Sequence, residues 1–181
     1  MTGAQRRHDP ERRLRIISAA LDVVASHGVA GTTHRRVAAA ADVPLGSMTY
    51  HFTNMDEVLV EAFRLLADRV STRFTERLAT ATNLDEACEA VVDLIVDESW
   101  ATPRTMLLSY ELYAFAARNP PVRQVMQDWM EKSRAALRRH FAPDTAKVLD
   151  ALIEGLSIHR SVDLEPMTRA EVRSVIGRLI H

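Results

Sequence analysis

The chain of 181 residues contains one cysteine, Cys88. A single thiol excludes an internal disulfide and the four-thiolate zinc sites, and nothing near it supplies a metal-ligand spacing. A reducing, intracellular compartment is the simplest setting. An excess of charge of one sign is also lacking: 23 lysines and arginines face 24 aspartates and glutamates, for a net charge of −1. That balance excludes a uniformly basic nucleic-acid binder. No uninterrupted apolar run approaches the ~20 residues that span a bilayer. The opening MTGAQRRHDPERR is charged with no apolar core behind it, so it does not read as a secretory leader. Strand-like alternation and internal repeats are absent as well. Together these absences describe an all-α, cytoplasmic protein with no membrane partner.

What is present is helical periodicity and an uneven distribution of charge. Leu14, Ile17, Leu21 and Val24 recur at spacings of three and four and predict a first helix between Pro10 and His27 that stops at Gly28. Thr32 and Thr33 offer an N-cap for a short second helix running to about Ala41. Pro44 disfavours helical geometry at Val43 and ends it. A third helix spans Ser47 to Phe52, with Gly46 or Ser47 as its cap. Asn54 caps a long fourth helix with an apolar seam of Leu59, Phe63, Leu66, Val70, Phe74 and Leu78. Further breaks at Asn83, Pro103, Pro120-Pro121, Pro143 and Pro166 give about nine helices in all. Residues 1–52 carry seven arginines against four acids, a net of +3, so the remainder carries −4. The composition break near residue 53 divides the chain into a basic head, 1–53, and an apolar, acidic body, 54–181.

The segment VPLGSMTYHF, residues 43–52, explains the head. A helix of about two turns is unstable alone in water, so its neighbours must hold it. A supporting helix, a short helix, a tight turn and a second short helix form a helix-turn-helix DNA-binding unit. In the third helix Met48 and Phe52, four apart, face inward, leaving Ser47, Thr49, Tyr50 and His51 outward. Gly46 lets the backbone come close to DNA, and the hydroxyls suit phosphates or bases.

The span IISAALDVVASHGVAGTTHRRVAAAADVPLGSMTYHFTNMDEVL, Ile16 to Leu59, resembles the N-terminal domain of the tetracycline-repressor (TetR) family of bacterial transcription regulators. Gly28, Thr33, Val37, Ala38, Ala41, Val43, Gly46, Tyr50, His51 and Phe52 fall on the family pattern in register. The resemblance implies a homodimeric repressor that binds double-stranded operator DNA and whose C-terminal domain binds a small-molecule effector. It places Thr33, Tyr50 and His51 on phosphates and Ser47 and Thr49 near bases, with His34, Leu45 and Gly46 in the same interface. Leu45 and Met55 stand where many relatives carry lysine. Two phosphate contacts are thereby lost, and Arg35 and Arg36 of the second helix, with the arm residues Arg6, Arg7, Arg12 and Arg13, are the cations left to supply the charge.

In the body, Trp100, Met106, Tyr110, Tyr113, Met126, Trp129 and Met130 cluster between residues 100 and 130. They read either as plain core or as the lining of an apolar pocket with a few placed polar groups. Glu111 is either a ligand contact or a structural partner of an arginine such as Arg123 or Arg134. His159 reads as a core, interface or ligand residue. Cys88 reads as a small buried hydrophobe. The last two helices carry Leu149, Leu152, Ile153 and Leu156 on one and Val172, Val175, Ile176 and Leu179 on the other. In the resembled family such helices meet their twofold mates as a four-helix bundle, and docking on the same chain is the alternative. No catalytic triad, paired-histidine metal motif or phosphate loop can be assembled, which points away from an enzyme and from any cofactor. The effector implied by this lining is apolar or aromatic. Alternative readings are a TetR-type activator or a regulator controlled by a protein partner, and, in a different class, an all-helical carrier or enzyme.

Overall fold

The computed structural model describes residues 11–180. Among them the architecture is all-helical: α1 (Arg12–Gly31), α2 (His34–Ala40), α3 (Gly46–His51), α4 (Met55–Ala79), α5 (Leu84–Val96), α6 (Pro103–Ala116), α7 (Pro120–Leu137), α8 (Pro143–Val162) and α9 (Arg169–Ile180). The all-α expectation of about nine helices therefore describes the fold. Local chemistry sets most of the boundaries. Thr33 Oγ1 accepts from the Arg36 amide at 3.3 Å and caps α2. At the start of α4, Asn54 Oδ1 accepts from the Glu57 amide at 2.9 Å while Glu57 Oε2 accepts from the Thr53 amide at 2.7 Å. This is a reciprocal satisfaction of first-turn donors. Asn83 and Glu86 repeat it at α5. Pro103, Pro120 and Pro143 each open a helix, a position where the missing N–H is no loss.

Gly28 does interrupt α1, with φ +68°, but the chain turns helical again and ends at Gly31. Leu14, the first residue of the helical repeat, is exposed, and Ile16, Ala20 and Val23 are buried beside Ile17, Leu21 and Val24. By length and composition α1 is the one helix among the described residues that could cross a membrane. It nevertheless carries Arg15 and Asp22 and buries an apolar face against protein.

Two compact units are distinguishable, Met1–Leu66 with Tyr110–Val125, and Ala67–Ser109 with Met126–His181. Helices α4, α6 and α7 contribute residues to both. In the first unit α1 packs on α2 and α2 on α3. Ile16, Val24, Val37, Met48, Val58 and Phe63 are fully buried there, with Phe63 against Phe115 at 6.3 Å between ring centroids. In the second unit α5 is the centre. It buries a broad apolar face of Ala87, Cys88, Ala90, Val91, Val92, Leu94 and Ile95, keeps its acids on the other side, and α8 and α9 both pack on it. Cys88 is buried in that core, as a small hydrophobe would be.

Candidate nucleic-acid interface

The turn between α2 and α3 is closed by backbone bonds and one left-handed residue. The Val43 amide donates to the Ala38 carbonyl at 3.0 Å, and the Ser47 amide to the Pro44 carbonyl at 2.8 Å. Asp42 takes φ +50°, a conformation that aspartate tolerates better than most residues. Leu45, rather than Gly46 or Ser47, occupies the cap position of α3, and no side chain caps this helix.

Exposure divides residues 45–52 into two arcs. Leu45, Gly46, Thr49 and Tyr50 face solvent, while Ser47, Met48 and Phe52 are buried and His51 is half-buried. Met48 and Phe52 therefore point inward as the spacing predicts. Ser47 does not point outward: at 100° per residue it lies on the same side as Met48 and His51, and its small side chain fits under the helix. Tyr50 is 84% exposed and makes an edge contact with the His51 ring at 4.8 Å. Thr49 Oγ1 donates to the Gly46 carbonyl at 3.2 Å.

The cations expected to meet phosphate differ in their freedom. Arg35 is exposed and has no partner among the described residues. Arg36 Nη1 donates to the Gly31 carbonyl at 2.5 Å, which fixes its stem but leaves other donors. Arg13 pairs with Glu61 at 3.4 Å and lies over the Phe52 ring at 5.1 Å, so it braces α1 against α3 and α4. Arg12 and His34 are half-buried. Arg6 and Arg7 lie outside the described residues. The Thr33 hydroxyl caps α2 through its lone pair, and its hydrogen remains available to an acceptor.

The residues expected to line an effector pocket fall in both units. Trp100, Met106, Met126, Trp129, Met130 and His159 belong to the second, and Tyr110, Glu111 and Tyr113 to the first. Met106 and Met126 are buried, while Trp129 and Met130 are half-buried. Trp100 lies under the Arg73 guanidinium at 4.5 Å. Glu111 pairs with neither arginine suggested for it. Its Oε2 accepts from the Val29 amide at 2.8 Å, whereas Arg123 donates to the Ala117 carbonyl and Arg134 to Asp150 at 2.8 Å. His159 is exposed at the rim of a cavity of about 60 Å³, lined also by Ile95, Leu156, Met167 and Val172. That is far smaller than the roughly 300 Å³ at which ligand pockets begin. Sequence reasoning passed over Glu154. It is half-buried on α8, one turn beyond Asp150, and has no hydrogen bond or ion pair among the described residues. Burial raises its carboxyl above the ordinary range. Its i+4 relation to Asp150 beside the apolar stripe was the available signal.

Among the residues expected at a dimer interface, Leu149, Val172 and Ile176 are instead buried in the chain's own core, because α8 and α9 both turn them toward α5. Leu152, Ile153, Leu156 and Val175 are half-buried, and Leu179 is exposed, as are Val148 and Val162 of α8. No cluster of three or more histidines, cysteines or carboxylates that could hold a metal occurs among the described residues.

A short two-helix element on a supporting helix, with an open solvent-facing arc on its second helix, defines a helix-turn-helix regulator. Residues 16–62 match the model of bacterial regulatory proteins of the tetR family, and residues 82–181 match a tetracyclin repressor-like C-terminal domain. SCO7518 of Streptomyces coelicolor A3(2) is 47% identical over 94% of this chain and 99% of its own, with a TM-score of 0.89. The multidrug binding protein EbrR, in its complex with ethidium, is 38% identical over 94% of this chain and 99% of its own, with a TM-score of 0.76. The HTH-type transcriptional regulator BetI of Agrobacterium fabrum is 26% identical over 93% of this chain and 85% of its own. The chain belongs to the TetR family: it is a ligand-responsive transcription regulator and not an enzyme.

Proposed function

We propose that the chain is a cytoplasmic repressor that binds operator DNA as a homodimer through α8 and α9 and releases it when an aromatic cation occupies the body. The observation that carries the effector class is the likeness to EbrR at 35–38% identity in structures complexed with proflavin, ethidium and malachite green. These are cationic, aromatic molecules. Glu154 supports the reading as a half-buried carboxylate without a partner among the described residues, in the same unit as Met126, Trp129 and Met130. An unpaired carboxylate in such surroundings gains from a cation, and methionine and tryptophan suit a polarisable ring. On the DNA side, Thr33, Arg35, Tyr50 and His51 hold phosphates, and the exposed arc of α3 meets the bases.

The ligand must bind the DNA-incompetent state more tightly, since equal affinity for both shifts nothing. Coupling of about 1–3 kcal/mol corresponds to a roughly 5- to 150-fold loss of operator affinity. The test selects an operator from random duplexes with the full chain, then titrates ethidium and proflavin while reading Trp100 and Trp129 fluorescence and operator release together. Dye binding that leaves operator affinity unchanged overturns the effector assignment. A monomer by light scattering overturns the dimer.

A further inference from the structure

We infer that Leu45 reads the C5-methyl group of a thymine in each operator half-site, and that Gly46 leaves the gap through which the base reaches it. The inference rests on the DNA-binding reading above and assigns the base that this reading leaves open.

The solvent-facing arc of α3 is poor in the groups that read bases by hydrogen bonding. Bidentate contacts to purines come from arginine, lysine, asparagine and glutamine, and residues 45–52 contain none of these. Ser47 is buried and so removed from the surface. The Thr49 hydroxyl hydrogen is directed at the Gly46 carbonyl, which leaves its methyl group as the outward feature. Tyr50 keeps a free hydroxyl, but a single donor does not fix a base pair. In place of a polar head, the arc presents Leu45, 50% exposed. Leu45 and Thr49 are four apart and share one ridge, while Gly46 and Tyr50 form the ridge beside it.

Half of the Leu45 side chain lies in water, on the same outward arc as Gly46 and Thr49. Gly46 points the same way. Its φ is not positive, and a Cβ placed there would meet no atom of the protein within 4 Å. Neither backbone geometry nor packing asks for a glycine in the first turn of a helix, where it is a poor helix former. The space is open toward the outside, beside Leu45. An apolar side chain next to a bare backbone on a major-groove surface matches one base feature, the thymine methyl, which is the apolar group among the groove's donors and acceptors.

The test uses the full-length protein and an operator obtained by selection from random duplexes. Each thymine is replaced in turn by deoxyuridine, which removes the methyl and keeps every hydrogen-bonding group. At one position per half-site, affinity should fall roughly fourfold, the value of one buried methyl-sized group. In Leu45→Ala the thymine and uracil operators should bind equally, with affinity for random DNA unchanged. Gly46→Ala should weaken both operators while thermal stability holds or rises. Leu45→Lys should steepen the salt dependence by about one phosphate and shift selection from thymine toward guanine. Uracil operators that bind as tightly as thymine ones, or a thymine preference that survives in Leu45→Ala, overturn the inference and leave the DNA-binding reading standing. A chain that retains no duplex above background overturns both.

Discussion

The two compact units of the chain rely on arginine–carboxylate pairs to different extents: the first ties Arg13 of α1 to Glu61 of α4, whereas the second carries a network of such pairs. In the first, the side-chain bonds that fix the end of α1 go to backbone: Glu111 to the Val29 amide, Thr32 to the Gly28 carbonyl and Arg36 to the Gly31 carbonyl. In the second, arginine–carboxylate pairs stitch helices together. Arg77 of α4 meets Asp93 of α5 at 2.5 Å, Arg134 of α7 meets Asp150 of α8, and Arg169 and Arg173 of α9 bind Asp85, Glu89 and Asp93 along one side of α5. Arginine suits this use because its planar fork reaches two carboxylates at once. The first unit leaves Arg35 exposed and without a partner among the described residues, whereas the α9 arginines of the second are consumed internally.

The largest test of this comparison is truncation before Arg169. It removes Val172 and Ile176 from the core of the second unit together with both α9 arginines. Each buried aliphatic side chain is worth about 1.5–3 kcal/mol, against a total stability of roughly 5–15 kcal/mol. The truncated chain should lose far more helical circular dichroism than the 12 residues of α9 account for. A loss limited to those residues breaks the assignment of α9 to the core.

Next in size is the exchange of a charged partner in one unit against a backbone clasp in the other. Asp93→Asn weakens the acceptor of Arg77 and Arg169 and should cost about 1–2 kcal/mol in urea unfolding, less than a fully buried pair because these groups are partly exposed. Glu111→Ala removes one hydrogen bond and should cost about 1 kcal/mol. Raising salt to about 0.5 M should shrink the first difference by screening and leave the second, a bond to a backbone amide, less affected. Equal salt responses remove the distinction between the units.

Acid should act on the second unit in two opposed ways. Hydrogen bonds from Arg169 and Arg173 hold the Glu89 carboxyl below its ordinary value. Burial works against Asp93, but the bonds from Arg77 and Arg169 outweigh it and leave that carboxyl lowered too. Carboxyls lowered on folding stabilise the protein above their unfolded pKa, and this contribution is lost as pH falls through the folded value. The second unit should therefore lose stability as pH drops below about 4, and Glu89→Gln should flatten that slope. Glu154 is raised by burial, so its charged form opposes folding as pH rises through its titration range. The smallest expected effect follows: Glu154→Gln should slightly raise the melting temperature at pH 7 while weakening binding of ethidium. A variant that loses stability at pH 7 shows that the carboxylate is paired rather than waiting.

Much of this organisation is legible in the sequence because its causes are local. Gly28 interrupts α1, Thr33, Asn54 and Asn83 cap where their hydroxyl or amide groups reach first-turn donors, and three prolines begin helices. The family pattern of residues 16–62 is similarly local. What escaped is decided by neighbours distant in the chain. Periodicity shows that α8 and α9 have apolar faces, but not that α5 takes Leu149, Val172 and Ile176 for itself. Hydroxyl chemistry puts Ser47 on the outer face, while the curvature of a six-residue helix places it beneath. Glu111 finds a partner 82 residues away in a backbone amide, and no side-chain pattern announces an amide.

That last contact turns one proton into a gauge. The Val29 amide lies just after the break at Gly28, and its hydrogen is directed at a carboxylate on α6. A Cβ at Gly28 would stand 3.0 Å from Glu111 Oε1, on a backbone that already has positive φ. Glycine there keeps the carboxylate seated without strain. Exchange of that single amide with deuterated water, followed with and without operator or dye, reports the fraction of molecules in which α6 and the last turn of α1 remain joined. No label or added chromophore is required.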